Sequence, residues 1–365
     1  MVKIVAVGDI MPGGVLAGVN TDYISQGILD ILQSGDIRVG SLETAIGDEP
    51  SFNEEKMIRA KDVIHTLNAD MVKLKHLGID IVSLANNHFF DLGVKGAEHA
   101  IDMLDSMGIK HVGAGRNLEE ASRPEVIEVN NKKVAFLAFC ECEESRIGWC
   151  PIAAADASGV NPLRMDYVVS EINKYRRQYD YLVVLPHWGK EAQILPTDHQ
   201  YRLAKKMIDA GANLILGSHT HCIQPILHTK GVAVAFSMGN FLFPDRLIAP
   251  PRSTYYPEEP IDMDSMPVID RFSYVERPTY KKWRTKARYG LLVKAHLDEE
   301  TATASGQIVH LTKDNKLELY DGRYPYGSQL KFGGMALKSR FYPQLYLFQE
   351  LIIWIKRRVR KVVHW

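Results

Sequence analysis

Side chains that can bind a metal ion follow short apolar runs at five places in this 365-residue chain. In chain order they are Asp9, Glu43, Asn87 with His88, His187, and finally His219 with His221. Carboxylate, amide and imidazole groups together suit zinc, manganese or iron, whereas calcium prefers oxygen ligands alone. A single histidine of this kind is usually structural, but five coincidences in one chain indicate a divalent metal site.

These residues lie together only if the apolar runs before them are strands of a sheet. The runs alternate with longer amphipathic stretches, which predicts an α/β fold with a largely buried sheet. The predicted strands are Lys3–Val7, Ile37–Leu42, Ile79–Leu84, Val134–Phe139, Tyr181–Leu185, Leu214–Leu216 and Val232–Phe236, and the predicted helices are Lys61–Leu77, Gly96–Met107, Met165–Arg177 and Asp198–Ala210. Because the carboxyl ends of parallel strands share one edge, we expect a single crevice there.

The composition limits the class of partner and the compartment. Lys and Arg total 44, as do Asp and Glu, so the chain has no overall charge that would attract nucleic acid. Four cysteines, Cys140, Cys142, Cys150 and Cys222, lack zinc-finger spacing, and we expect reduced thiols. No signal-peptide pattern follows Lys3, and no run of about 18 apolar residues occurs without a charge. These features predict a cytoplasmic protein.

The pattern divides the chain into four parts. Residues 1–243 carry all the polar strand ends described above. Residues 244–289 hold seven of the 17 prolines without a sustained period, which indicates an irregular surface insertion or a lid over the site. Residues 290–335 alternate like closing strands and end in a glycine-rich loop. Residues 336–365 have the pattern of an amphipathic helix.

Six segments carry a resemblance to a known family. They are Gly8-Asp9-Ile10-Met11, Ser41-Leu42-Glu43-Thr44, Ala85-Asn86-Asn87-His88-Phe89-Phe90-Asp91-Leu92-Gly93, His187-Trp188-Gly189-Lys190-Glu191, Gly217-Ser218-His219-Thr220-His221 and Ser237-Met238-Gly239-Asn240-Phe241. Their order resembles the calcineurin-like metallophosphoesterase superfamily. The residues within each segment resemble the motifs of the CapA family of bacterial capsule and poly-γ-glutamate biosynthesis proteins. The resemblance implies a sandwich of two β-sheets flanked by helices, to which this chain adds the insertion and the C-terminal helix.

The resemblance also assigns metal ligands. It implies that Asp9 and His221 hold one ion, that Glu43 occupies the bridging position, and that a second ion is held on the other side. The ligands of that second ion would be Asn87, His187 and His219.

Two departures from the superfamily pattern bear on this assignment. The first motif of the superfamily reads Asp-x-His, and Met11 stands in the histidine place. The second motif begins with Asp, where this chain has Glu43. Because a thioether is a poor ligand for these metals, the first position is weakened. We expect one tightly bound manganese, zinc or iron ion and at most a second, weaker one.

Catalytic and substrate-binding roles follow from the same motifs. His88 is the candidate general acid and Asp91 the residue that orients it, since a neighbouring carboxylate favours the protonated imidazole. Alternatively, His88 supports Asn87. Glu191 and Asn240 are candidates for contact with substrate, although Glu191 could also orient His187 or be solvated.

The function that these residues favour is metal-dependent hydrolysis of a phosphoester, and the resemblance implies a role in the synthesis of a capsule, poly-γ-glutamate or another surface polymer. One alternative is a non-hydrolytic accessory subunit of a polymer synthase, for which the methionine at position 11 is the best argument. Another is a metal-dependent enzyme that acts on an amide or acyl bond. The expected partners are an anionic or phosphorylated small molecule or polymer and a membrane-bound polymer synthase.

The C-terminal helix has two interpretations. Apolar residues recur at three- and four-residue steps from Leu347 to Val362, and five basic residues crowd positions 356–361. Such a helix can bind peripherally at the inner face of a membrane, with Trp354 and Trp365 at the level of the headgroups. Alternatively, its apolar stripe packs on the domain and the cations favour the helix C-terminus.

Overall fold

The computed structural model describes residues 1–48, 64–141, 150–248, 279–339, 341–348 and 350–351. In chain order the strands are β1 Val2–Ile10, β2 Ile37–Leu42, β3 Ala45–Ile46, β4 His65–Thr66, β5 Ile81–Ser83, β6 Lys110–Val112, β7 Ala114–Gly115, β8 Glu125–Val129, β9 Lys132–Cys140, β10 Gly159–Val160, β11 Tyr181–His187, β12 Leu214–Leu216, β13 Ile226–Thr229, β14 Val232–Ala235, β15 Arg246–Ile248, β16 Thr279–Lys281, β17 Tyr289–Leu297, β18 Ala302–Leu311 and β19 Leu317–Leu319. The α-helices are α1 Gln26–Gln33, α2 Val72–His76, α3 Gly93–Met107, α4 Leu118–Ser122, α5 Met165–Tyr175, α6 Asp198–Ala210 and α7 Gly327–Ala336, and residues 342–348 are also helical.

Two large sheets dominate the described part of the chain. One has the order β19-β18-β17-β1-β2-β5-β6, with β1, β2, β5 and β6 parallel. The other has the order β13-β14-β12-β11-β9-β8, with its four inner strands parallel. Antiparallel strands lie on one side of the first sheet and at both edges of the second. The closing strands that the alternation in residues 290–335 predicts are present as β17 and β18. The predicted α/β fold of two β-sheets flanked by helices is confirmed.

Alternate residues of β9 face two different cores. Phe136 and Ala138 belong to the larger core, which includes residues of both sheets. Leu137 and Phe139 face the opposite way, into a core built with α5 and α6. This period of two lets one apolar strand join two layers of helix and sheet.

The two sheets are joined where the chain leaves β14 and passes beside β1. Asp9 N donates to Gly239 O at 2.9 Å, and Phe241 N donates to Asp9 O at 2.9 Å. A Cβ atom at Gly8 would lie 1.8 Å from Gly239 O, so only glycine permits this approach. The glycine before Asp9 therefore allows the end of β1 to lie against the second sheet.

Two sequence predictions about local structure were wrong. The predicted helix Lys61–Leu77 is helical in α2, but His65–Thr66 forms strand β4 and pairs with β3. Asn68–Met71 is a 3₁₀ turn, in which the buried Asp70 carboxylate accepts from Gly18 N at 2.9 Å. These long-range contacts override the helical pattern. The glycine-rich loop of residues 322–334 also contains most of α7.

Cys150 corrects the expectation that all four cysteines are reduced, because it is disulfide-bonded. Disulfides are typical of oxidising compartments, so this bond weighs against the predicted cytoplasmic location, which stays a prediction. No described helix is both long enough and apolar enough to cross a membrane. Cys142, and the part of the predicted insertion from residue 249 to 278, lie outside the described residues.

The described part of the C-terminal segment has one packed side and one exposed side. Tyr342 donates to Pro196 O at 2.6 Å, and Lys190 Nζ lies 2.6 Å from Glu350 Oε2. On the other side Leu347 and Phe348 are 65% and 64% exposed. Packing on the domain therefore explains only the face of the segment that carries Tyr342 and Glu350. Residues 352–365, which include the basic cluster, lie outside the described residues.

We predict that this exposed face binds anionic membranes. Replacing Leu347 and Phe348 together by Ser should weaken binding of the full chain to phosphatidylserine-containing vesicles about tenfold or more, because each side chain loses its burial in lipid. Flotation measures the bound fraction, which should also fall with added salt. The control is a double Ser variant at Val72 and Val94, which are exposed on α2 and α3. If the two variants float to the same extent, the exposed face does not bind membranes, and the segment serves only to pack on the domain.

Candidate metal centre

The polar residues singled out in the sequence meet at the carboxyl ends of parallel strands from both sheets. Each occupies the end of a strand or the loop that follows it: Asp9 in β1, Glu43 after β2, Asn87 after β5, His187 at the end of β11, and His219 and His221 after β12. All six are buried. The structure therefore brings them together in one crevice, at the edge where ligands bind in open α/β sheets.

Glu43 lies between two groups of candidate ligands. It forms one group with His187 and His219, and a second with Asp9 and His221, and within each group the ligand atoms lie within 4.8 Å of one another. Glu43 Oε1 is 3.7 Å from Nε2 of His187 and 3.7 Å from Nε2 of His221. His221 Nδ1 is 3.6 Å from Asp9 Oδ2. The carboxylate of Glu43 is thus shared by the two groups.

Three of the four oxygens of the two buried carboxyl groups lack a compensating donor among the described residues. Among the described residues, Asp9 Oδ1 and both oxygens of Glu43 have no hydrogen-bond donor. Burial raises the pKa of Asp9 to about 7. Burial, followed by the charge of Asp9, also raises the pKa of Glu43 well above its usual range. These are the shifts expected of carboxylates that lack a counter-charge.

The histidines shift in the opposite direction. Burial and then the neighbouring His219 and His221 lower the pKa of His187 well below its ordinary value. Burial lowers the pKa of His221 to about 4. The imidazoles are therefore neutral, as metal ligands must be, and cannot act as counter-ions for the acids. A divalent cation would supply the missing charge, so this set of donors fits a metal ion.

Polar neighbours fix the orientation of the imidazoles. His187 Nε2 is 2.8 Å from Asn87 Oδ1, and its Nδ1 is 3.0 Å from Ser218 Oγ. His221 Nδ1 is 2.8 Å from Asn240 Oδ1, whose amide nitrogen donates to Ala287 O. Ser218 and Asn240 are thus placed to select the tautomer and hold the ring of His187 and of His221, whereas Asn87 meets His187 on the side of the candidate ligands. No sequence pattern predicts a role for Ser218, although it lies inside the Gly-x-His motif.

The loop after β12 carries backbone strain at both histidines. His219 has a φ of 89° and His221 a φ of 51°, in the region that non-glycine residues rarely adopt. His219 N donates to Asp9 Oδ2 at 3.2 Å, which ties the strained loop to β1. Strain of this kind costs of order 1 to 3 kcal/mol per residue and persists where the surroundings hold it.

His88 and Asp91 form a separate pair beside these ligands. His88 Nδ1 lies 2.7 Å from Asp91 Oδ2, and the same oxygen accepts from Ile64 N at 2.6 Å. The loop is fixed by Asn86, which donates to Leu42 O at 2.8 Å and accepts from His88 N at 3.0 Å. His88 thus has the neighbouring carboxylate that a general acid requires, and its role as general acid stays a prediction.

The remaining predicted site residues lie around this centre. Asn240 contacts His221, as described, so its predicted contact with substrate would add to a positioning role. Glu191 is exposed, and its charge acts on both Glu43 and His221. Met11, in the histidine place of the superfamily motif, packs in an apolar cluster with Ile64 and Phe243.

Comparison with known proteins identifies relatives over the same region. A family model described as bacterial capsule synthesis protein PGA_cap matches residues 3–245. The chain is 30% identical over 243 residues to the PGA biosynthesis protein CapA of Bacillus subtilis strain 168, covering 65% of this chain and 62% of the relative. It is 31% identical over 246 residues to the capsule biosynthesis protein CapA of Bacillus anthracis, covering 65% and 58%.

A more distant relative is named as a probable polyglutamine synthesis accessory protein of Mycobacterium tuberculosis. It is 27% identical over 213 residues, covering 56% of this chain and 55% of the relative. The chain spans less than two thirds of the length of each of these three relatives.

The family match covers most of the chain and all ten predicted site residues. It begins in β1 and ends just before β15. It includes the shared carboxylate, both histidine groups and the His88–Asp91 pair. The resemblance carried by the strand-end motifs is therefore confirmed, and the chain belongs to the bacterial capsule synthesis (PGA_cap) family, as the CapA proteins of Bacillus do.

Proposed function

We propose that this protein is a metal-dependent hydrolase of phosphoesters that serves the synthesis of a capsule or of poly-γ-glutamate. The observation that carries the proposal is the pair of buried carboxyl groups, Asp9 and Glu43, set among neutral imidazoles. The names of the CapA relatives support the biosynthetic context. The choice of a phosphoester as substrate rests on the resemblance of the strand-end motifs to the calcineurin-like metallophosphoesterase superfamily.

The chain offers donors for two metal positions that share Glu43. Asp9 and His221 would hold one ion, and His187, His219 and Asn87 the other. When bound, a divalent ion activates water as a nucleophile and neutralises charge on a phosphoryl oxygen. The burial of these donors keeps competing solvent away from the reacting groups.

His88 is placed to give a proton to the leaving group. The Asp91 carboxylate at Nδ1 keeps the ring in one orientation and favours its protonated form. Because Asp91 is itself held by Ile64 N, the pair is fixed before substrate arrives. The side chain of His88 is 9% exposed, whereas that of Asp91 is 1% exposed, so the histidine is the member of the pair that substrate can reach.

An accessory role in a polymer synthase is the second candidate. The name of the Mycobacterium relative favours it, and so does Met11, which occupies a position where the superfamily supplies a ligand. In this case the metal site would stabilise the fold or bind a ligand without turnover. Membrane association and the synthase partner belong to this wider proposal.

Turnover separates these candidates. We predict that the purified protein, loaded with Mn²⁺, hydrolyses a phosphomonoester or a phosphodiester, that EDTA abolishes the reaction, and that added Mn²⁺ restores it. Release of p-nitrophenol from p-nitrophenyl phosphate and from its bis-ester measures the rate. Stoichiometric metal without turnover of either compound would favour the accessory role, and turnover only of a γ-glutamyl amide would favour carbonyl chemistry.

Metal binding should release protons and strengthen as the pH rises through about 7. Below that pH the Asp9 carboxyl carries a proton that the metal must displace, because burial raises its pKa to about 7. The affinity should change by about tenfold per pH unit for each proton displaced. His221, with its pKa lowered to about 4 by burial, should not compete near neutral pH.

Calorimetric titration with Mn²⁺ near pH 6 and near pH 8, in two buffers of different ionisation enthalpy, measures the metal affinity and the number of protons released. His219→Ala should lose most of the affinity at either pH, whereas the control His296→Ala, at an exposed residue of β17, should titrate like the wild type. An affinity that does not depend on pH would contradict the proposed set of ligands.

His88→Ala should retain its metal and lose roughly 100-fold in turnover, the size usual for a general acid. The loss should be largest for an alkyl phosphate, whose leaving group needs a proton, and smallest for p-nitrophenyl phosphate. Steady-state rates on the two substrates, with metal content measured in parallel, check this expectation. An equal loss on both substrates would remove His88 from the acid role and leave it as support for Asn87.

A further inference from the structure

The C-terminal segment contacts the loop that follows β11 and its metal-ligand histidine. This loop, residues 188–197, leads into α6. Lys190 Nζ donates to Glu350 Oε2 at 2.6 Å and to Tyr346 Oη at 3.2 Å. Gln193 Nε2 donates to Glu350 Oε1 at 3.1 Å. Both carboxylate oxygens of Glu350 are therefore engaged by this loop.

The contact is a charged one in partly buried surroundings. The side chains of Lys190 and Glu350 are 25% and 31% exposed. Burial alone would raise the pKa of Glu350, but the hydrogen bond from Lys190 lowers it overall. Near the other end of the loop, the buried Tyr342 donates to Pro196 O at 2.6 Å. The segment thus holds the loop near its start and near its end.

The same loop is hydrogen-bonded to the residue between the two histidines that follow β12. Ala192 N donates to Thr220 O at 2.8 Å, and the buried Thr220 separates His219 from His221 in the chain. Ala192 has a φ of 59°, which non-glycine residues rarely adopt, so its neighbours must hold it there. Two candidate metal ligands are therefore linked to the C-terminal segment through one short loop.

From these contacts we propose that the C-terminal segment is a positioning element of the metal centre. Glu350 engages Lys190 and Gln193, which lie on either side of Ala192 in the loop. The Ala192 amide in turn restrains Thr220, and with it the strained loop that carries both histidines. Such strain persists only where the surroundings hold it.

The support comes from outside the region that the chain shares with its family, because the family match ends at residue 245. It would therefore be a feature of this chain added to a metal centre common to the family. This inference rests on the metal centre of the proposed function and not on the reaction assigned to that centre.

Mn²⁺ affinity of the full chain, measured by calorimetry at a temperature where every variant is folded, tests the inference. Glu350→Ala and Lys190→Ala should each weaken Mn²⁺ binding about three- to tenfold, less than the roughly 10- to 100-fold usual when a direct partner of a ligand is lost. Because the two residues act as a pair, the double variant should lose little more than Glu350→Ala alone. The exchanged pair, Lys190→Glu with Glu350→Lys, should recover part of the loss.

The matched control is Arg38→Ala, which breaks an ion pair with Asp80 whose side chains are 24% and 32% exposed. That pair lies near the amino ends of β2 and β5, at the opposite edge of the sheet from the candidate ligands. Arg38→Ala should lower the melting temperature without changing the Mn²⁺ affinity.

If the Glu350 and Lys190 variants bind Mn²⁺ as the wild type does, whether or not they melt earlier, the inference is wrong and the proposed function stands. A loss of affinity in Lys190→Ala alone would equally overturn it, because the C-terminal segment would then have no part in the centre. A wild type that binds no Mn²⁺ would overturn the proposed function, and the inference with it.

Discussion

The burial of two carboxyl groups is the constraint on which the rest of the site depends. Asp9 and Glu43 lie at the ends of adjacent strands, and three of their four oxygens have no donor among the described residues. Removing one carboxylate from water costs several kcal/mol unless a counter-charge or a set of donors replaces the water. The neutral histidines beside them supply coordination but no charge. The arrangement is therefore stable in two states: with protons on the acids, or with a cation among them.

The fold maintains this arrangement through two close backbone approaches beside the candidate ligands. Gly8 and Gly217 each permit a backbone approach that a side chain would block, against Gly239 O and Phe236 O respectively. The first approach brings Asp9 next to Asn240, and the second lies at the start of the loop that carries His219. Because the ligands come from separate strands, none can move without disturbing a sheet. This dependence explains how His219 and His221 both keep a positive φ angle in one loop.

The sequence predicted which residues meet at the site better than it predicted the contacts that orient them. Asp9, Glu43, His187 and His221 follow strongly apolar runs, so strand order alone places them at one edge. The partners that orient them are different, because Ser218 and Asn240 lie in the loops that follow β12 and β14, and their contacts with His187 and His221 depend on how these loops pack. Local pattern carries no information on that packing.

The same limit explains the errors in the fold. The region of β4 and the 3₁₀ turn after it has a helical pattern, and it was overruled by pairing with Ala45–Ile46 and by the buried Asp70. The fold class could be predicted because alternating apolar and amphipathic segments are a property of the chain itself. The disulfide at Cys150 could not, because cysteine spacing does not show which sulfur atoms meet in space.

The described ends of the predicted insertion contact the metal centre. They are anchored by Asp245, whose carboxylate contacts Arg288 and Trp283, and the indole of Trp283 lies against His221. A metal centre built from strand ends supplies the same chemistry for many substrates, and selectivity has to come from side chains at its rim. Among the described residues, Glu191 and Arg246 place charges of opposite sign near this centre, since both act on Glu43 and His221, so charge at the rim is one means by which this chain can distinguish substrates.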